Sequence, residues 1–236
     1  MSKILDVKID ELNFNQVMAK ITSFLKTKEL SQIVTVNPEF VLAAQKDKEF
    51  KSILNKSDLS VPDGFGLKIG AWILGKQIGE RLTGVDLTWE LAKLASQKGY
   101  SIYLLGAASG IAEKTAKRLK LLYPALKITG TYAGTPEEKG IIEKINNSKA
   151  DILLVAFGAP KQDKFIYHNR TKLKVKLAMG VGGTFDYISE TVPRAPLFLR
   201  QIGLEWLYRL VKQPKRAGRI FRAVIVFPLT VLISRF

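Results

Sequence analysis

The sequence predicts an α/β fold, a Rossmann-like and mostly parallel sheet flanked by helices, followed by a C-terminal helical appendage that binds membranes. Three observations carry this expectation. β-branched or apolar runs of strand length alternate with longer amphipathic segments, the pattern of parallel strands joined by crossover helices. One run, ADILLVAFG at 150–158, is apolar almost throughout, as a strand covered on both faces must be. Small-residue loops follow three of these runs, at 106–110, 158–163 and 180–186.

Taken in order, residues 3–9 alternate like one strand, and 14–27 follow a helical period. QIVTV at 32–36 is a β-branched strand ending in Asn37-Pro38. PEFVLAAQKDKEF then reads as a single helix, with Pro38 at the first position, where its missing N–H costs nothing. Leu59 and Val61 mark a further strand, broken by Pro62, Asp63 and Gly64, and an apolar helix runs from Phe65 to Leu74. A loop with Glu80, Arg81, Thr83 and Asp86 precedes a helix from about Leu87. Three strand-loop-helix units follow: a strand at 100–106 with a helix at 111–124, a strand at 126–134 with a helix at 136–147, and ADILLVAFG with a helix from APKQDKFIYHNR. The last strand and its glycine turn lie in VKLAMGVGGTFD at 175–186. From Thr191 prolines punctuate the chain. A helical run from Leu197 to Lys212 follows, with Leu204, Leu207, Tyr208 and Val211 on one face. The expected division is a core over 1–190 and an appendage over 191–236.

The charge balance points to an anionic partner, since 37 basic residues face 21 acidic ones for a net +16. Half of that excess lies in 191–236, where nine basic residues face the single acid Glu205. One-sign charge beside Phe221, Val224, Ile225, Phe227, Val231 and Leu232 reads as a helix lying on an anionic membrane surface. A nucleic-acid partner would need a basic groove with interleaved aromatics, which the apolar stretch does not provide, so none is expected. The same stretch offers a surface for self-association. Arg209, Lys212, Arg216 and Arg219 would align on one face if a single helix ran through Pro214. No apolar run reaches the roughly 20 residues of a spanning helix. The N-terminus is too polar for a secretory signal, and the absence of cysteine excludes disulfides, which together fit a cytoplasmic location.

Asp63 stands at the C-terminal end of a strand and the start of a helix, the edge at which open α/β sheets bind ligands. Taken alone, a turn aspartate is more often a helix N-cap. The loop from Gly106 to Gly110 follows a strand and opens a helix, so its N–H groups suit a phosphate; it is also a tight turn that packing alone would choose. It lacks the GxGxxG spacing and the acidic residue about 20 positions on that a dinucleotide site requires. The loops at 158–163, with Lys161 and Gln162, and at 180–186, ending in Asp186, share the same edge, favouring one ligand crevice. His168 reads as a surface residue. Acidic residues and histidine never fall at metal-ligand spacing, so no metal or cofactor is expected.

Seven blocks in order, TVNPEF at 35–40, PDG at 62–64, ER-x-TG-x-D at 80–86, GAPKQ at 158–162, GVGGTFD at 180–186, RAP at 194–196 and GLEWLYRL at 203–210, resemble those of the WecG/TagA/CpsF glycosyltransferases. Members usually show Glu where Asp163 stands and a second glycine where Ala107 stands. The resemblance implies an inverting, metal-independent transfer of N-acetylmannosamine from a UDP donor. The acceptor it implies is O4 of N-acetylglucosamine on a polyprenyl diphosphate, normally undecaprenyl, at the inner face of the cell membrane, as in wall teichoic acid linkage-unit synthesis. A different UDP-hexose donor remains open. Matched by position, Asp63 becomes the general base; a helix N-terminus would hold it ionised, whereas burial would raise its pKa. Thr35, Asn37 and Arg81 are assigned to the sugar-binding edge, and Gly106, Gln162 and Asp186 to the nucleotide. Arg216, Arg219 and Arg222 are expected to close over a diphosphate. Removing the chain after Thr191 is expected to leave a folded, UDP-binding core.

Overall fold

A computed structural model describes residues 1–235. Strands β1 (Ser2–Ile4) and β2 (Val7–Ile9) form an antiparallel hairpin. Strands β3 (Ser31–Val36), β4 (Leu59–Pro62), β5 (Ser101–Gly106), β6 (Lys127–Tyr132), β7 (Ile152–Ala156) and β8 (Leu177–Gly180) form one parallel sheet in the order β4-β3-β8-β7-β5-β6. Parallel strands need helical crossovers on the sheet faces, and the burial pattern follows: β3, β5, β7 and β8 are buried at every position.

Side chains alternate between two cores, as the period of two requires. On one face Ile33, Ile102, Leu104, Ile152, Leu154 and Met179 pack beneath helices Phe14–Phe24, Gly84–Lys98 and Ile111–Leu122. On the other, Val34 and Val36 pack with Phe40, Val41, Phe50, Leu67 and Ala71, while Leu105, Leu153 and Val155 pack with Ile145, Phe165 and Ile166. The β4 edge is covered rather than open: Ser60 donates its N–H to the Asp10 carboxylate at 2.8 Å, and Asp10 returns its own N–H to the Ser60 carbonyl.

Several boundaries differ from the sequence expectation. Residues 3–9 are a hairpin, because Leu5 and Asp6 take left-handed φ values of 48° and 61° and turn the chain. The helix after Asn37 is two, Pro38–Lys46 and Lys48–Lys56, broken at Asp47, whose carboxylate caps the second by accepting the Phe50 N–H at 2.9 Å. The helix expected from Leu87 starts at Gly84, with Thr83 as N-cap, and the one expected from Pro136 starts at Ile141. The run 197–212 is split into Leu197–Gln201 and Glu205–Lys212 by Gly203, at φ 80°.

No single helix passes through Pro214. The chain bends at Gln213, makes a 3-10 turn at Pro214–Arg216, then runs helically through Ala217–Phe221, a π-helical turn at Arg222–Val226 and Phe227–Ile233. Arg209, Lys212, Arg216 and Arg219 are therefore not aligned on one face. Phe227 and Val231, expected against lipid, are fully buried in the core with Val34, Val36, Leu67 and Ala71. They reach it because helix Phe65–Ile73 presents Gly66 and Gly70 to the tail: a Cβ on Gly70 would lie 2.9 Å from the Phe227 ring, and one on Gly66 would lie 3.3 Å from the Ala223 carbonyl. No helix among the described residues is long and apolar enough to cross a membrane.

Candidate active site at the β3–β4 edge

A cavity of about 190 Å³ opens at the C-terminal ends of β3 and β4. Asn37 and Asp63 from the strand ends line it together with Phe65, Gly66 and Ile69, Arg81, and, from the C-terminal segment, Glu205, Trp206, Arg209, Ile220, Ala223, Val224 and Pro228. The sheet edge and the C-terminal segment thus build one site between them.

Asp63 is not a helix cap. Gly64 occupies the N-cap position of helix Phe65–Ile73 and makes no side-chain bond. The Asp63 carboxylate instead accepts a long hydrogen bond, 3.4 Å, from the N–H of Gly84 at the start of another helix. Its backbone is pinned to the sheet, N–H to the Val36 carbonyl at 2.6 Å. Burial pushes its pKa from 3.8 to about 6; Arg209 pulls it back, Glu205 raises it, and the Gly84 N–H and Arg81 lower it. Of the two opposing effects the sequence leaves open, burial is the larger here, outweighing the hydrogen bond from the Gly84 N–H.

Arg209 and Arg81 share one counter-ion. Glu205 is buried, pairs with Arg209 one turn away, and lies 4.0 Å from Arg81. Arg81 also donates to the Arg200 carbonyl at 3.1 Å. The Arg209 guanidinium stacks 5.0 Å from the Tyr187 ring centroid, and its buried Nε–H has no hydrogen-bond partner among the described residues. Below this layer Arg194 grips Asp86 at 2.7 Å and the Thr83 hydroxyl at 3.1 Å. Burial pushes Asp86 up, but the bonds from Arg194 and Thr83 hold its carboxyl below the usual range. This clamp ties the start of the C-terminal segment to the loop carrying Arg81.

Of the sequence-predicted residues, Asp63, Asn37 and Arg81 line the cavity together. Asn37 spends its Oδ1 capping helix Pro38–Lys46, at 3.0 Å from the Phe40 N–H. Thr35 is buried beneath Gly84, where a Cβ would lie 3.7 Å from its hydroxyl. Gly106, Gln162 and Asp186 lie outside this cavity, along the β5, β7 and β8 ends. Gly106 has φ 90°, and a Cβ there would strike Phe157 at 2.8 Å, so close strand packing requires glycine. The next residue, Ala107, has φ 66°, a conformation that favours glycine, which agrees with the glycine expected there from the resemblance. The buried Gln162 joins two loops, its Oε1 accepting the N–H groups of Gly158 at 3.1 Å and Gly182 at 2.9 Å. Asp186 has its pKa raised by burial, opposed by Arg216.

The three tail arginines do not converge. Arg216 stands by Asp186 and Gly183, Arg219 pairs with the cavity residue Glu39 at 2.7 Å, and Arg222 is exposed and bonds the Gly218 carbonyl of its own helix. Sequence reasoning missed Glu205 and Arg209 as site residues, although their i, i+4 spacing within GLEWLYRL is a legible ion-pair signal.

The sequence profile of the "Glycosyl transferase WecG/TagA/CpsF family" matches residues 2–236. The chain belongs to the WecG/TagA/CpsF family. Relatives with assigned functions agree with this membership. The chain is 35% identical over 221 residues, 90% of its length and 85% of the relative's, to a protein of Bacillus spizizenii named N-acetylglucosaminyldiphosphoundecaprenol N-acetyl-beta-D-mannosaminyltransferase. It is 32% identical to the protein of the same name from Bacillus subtilis, over 93% of this chain and 89% of that one. A Staphylococcus aureus protein, again of that name, is 29% identical over 92% and 87% respectively. In this WecG/TagA/CpsF glycosyltransferase the half-buried Asp63 carboxyl, Arg81 and Arg209 lie where the chain's PDG, ER-x-TG and GLEWLYRL blocks meet.

Proposed function

We propose that this enzyme moves N-acetylmannosamine from UDP to the O4 hydroxyl of N-acetylglucosamine carried on undecaprenyl diphosphate, forming a β-1,4 bond by inversion and without a metal. The observation that carries the reading is Asp63, a carboxyl with raised proton affinity opening on a cavity whose other walls bear Arg81 and Arg209. Asp63 takes the acceptor O4 proton as that oxygen attacks the anomeric carbon. The bond from that carbon to the β-phosphate oxygen breaks, and its electron pair leaves with UDP. A base whose pKa lies near the working pH combines an ionised population with a useful proton affinity. Charge growing on the leaving diphosphate needs fixed positive groups in a desolvated place. Arg81 and Arg209 supply two, and Arg219 stands at the rim. Thr35 and Asn37 shape the sugar edge, Gly106, Gln162 and Asp186 the nucleotide edge, and Arg216 and Arg222 approach as the segment from 191 onward settles on the inner membrane face.

The test is a panel of radiolabelled UDP-sugars with a synthetic lipid-diphosphate-GlcNAc acceptor, with the product linkage read by NMR and the assay repeated with a chelator. Transfer from UDP-N-acetylmannosamine giving a β-1,4 product, unchanged by chelator, is expected. Preference for another UDP-hexose would reassign the donor, and an α product would remove inversion and the role given to Asp63.

A further inference from the structure

Helix Phe65–Ile73 is apolar almost all round, with Lys68 its single charge, and such a helix normally lies buried. Here it is only half covered. Leu67, Gly70 and Ala71 face the core, whereas Phe65, Ile69 and Trp72, spaced i, i+4 and i+7, are exposed, Trp72 at 81%. The neighbouring helix Phe227–Ile233 repeats the arrangement. Phe227 and Val231 are buried against the first helix, while Leu229, Leu232 and Ile233 are exposed. The two helices pack together, and Arg235 donates to the Ile73 carbonyl at 3.3 Å, so their outer sides form one apolar face. The active-site cavity meets this face through Phe65, Ile69, Val224 and Pro228.

Charge says what covers the face. Residues 65–76 carry Lys68 and Lys76 and no acid; residues 206–235 carry seven basic residues and no acid. A second copy would bring the same charge against itself. An exposed tryptophan on segments whose only charges are cations instead matches the interface of an anionic bilayer, where amphipathic helices bury an apolar side and keep cations at the headgroups.

We propose that the core helix Phe65–Ile73, with Trp72 as its anchor, inserts into the anionic membrane alongside helix Phe227–Ile233, so that the cavity opens directly at the headgroup layer. Membrane contact is thus made by the element that directly follows Asp63, as well as by the C-terminal segment. The proposal builds on the lipid-acceptor reading above, but its test needs no catalysis.

The full-length protein is titrated with vesicles of phosphatidylcholine and phosphatidylglycerol in equal parts, and with phosphatidylcholine alone. Trp72→Ser, Leu229→Ser and the double variant are compared with the wild type, and brominated lipid is used to quench tryptophan emission. Partition is expected only with the anionic vesicles, weakened about tenfold or more by Trp72→Ser and further by the double variant. Trp72→Phe should keep most of the partition and lose most of the quenching. Asp63→Asn should bind vesicles like the wild type whatever its activity, which separates a failure of the base assignment from a failure of the docking face. Trp72→Ser should keep wild-type turnover on a short-chain, water-soluble acceptor. Wild-type partition by Trp72→Ser would overturn the proposal. So would a vesicle-independent, concentration-dependent dimer that Trp72→Ser abolishes, which would assign the face to a second copy.

Discussion

Replacing Asp63 by asparagine should make the enzyme slower and more stable at once. Folding raises the Asp63 pKa from 3.8 to about 6, chiefly because burial disfavours the charge. The folded protein therefore holds this proton more tightly than the unfolded chain does. The sign follows from linkage: stability is lost as pH rises from 3.8 to about 6, and the loss persists above that. At about 1.4 kcal/mol per tenfold change in proton affinity, the charge costs at most about 3 kcal/mol at neutral pH. Opening toward the cavity reduces this figure. Asparagine keeps the shape and the Gly84 contact without the charge. Loss of general-base help should reduce turnover by about 10²–10⁴. Thermal melts at pH 4 and pH 8 beside initial rates at the same protein concentration are the assay. The wild type and Asp63→Asn should melt together at the low pH, and the variant should melt several degrees higher at the high pH. Wild-type kcat/KM should rise with pH and level off above about 6. A variant that melts lower at pH 8, or that keeps turnover within tenfold of wild type, would refute the reasoning.

Glu205 raises the Asp63 pKa and Arg209 lowers it, so Glu205→Gln should move the acid limb of the pH–rate profile to lower pH and Arg209→Gln to higher pH. Shifts in the same direction would show that the limb does not report Asp63. Phe227→Ala should destabilise the protein by about 3–5 kcal/mol, because the ring is fully buried against Gly70; denaturant melts decide this, and a loss under about 1 kcal/mol would place the tail outside the core. Gln162→Ala leaves the Gly158 and Gly182 N–H groups without their acceptor, at about 1–3 kcal/mol for each such group that stays dry. Its melting temperature should fall and its donor KM rise, and an unchanged KM would separate these loops from the nucleotide.

The parallel sheet was legible because its central strands are buried on both faces, and one of them, Ile152–Ala156, reads as an unbroken apolar run. The place of Asp63 was legible for a topological reason, since a break after a parallel strand must fall at the ligand-binding edge. Its electrostatic state was not, because it is set by burial in the folded site and by the charges of Arg209 and Glu205, more than 140 residues away. Charge counting spread the C-terminal cations over a surface and set Glu205 aside as the lone acid. The fold instead turns Glu205 inward between Arg81 and Arg209. Phe227 and Val231 passed for lipid-facing residues because their i, i+4 spacing suits either surface. The sign of their burial lay elsewhere, in Gly66 and Gly70 at the same spacing on the partner helix. The uninterrupted helix over 38–50 failed at Asp47, whose side chain offers the backbone a competing hydrogen bond.

The strand order bears on how the molecule assembles. β3 and β4 make one short ribbon, β7, β5 and β6 another, and only β8 joins them, with Ser31 opposite Leu177 and Ile152 opposite the same residue. Until β8 arrives, the inner margins of both ribbons stand open, and closing the gap demands a contact between distant parts of the chain. Each bare margin is a template for the wrong neighbour during that wait, so crowded refolding should favour intermolecular ladders over the finished sheet.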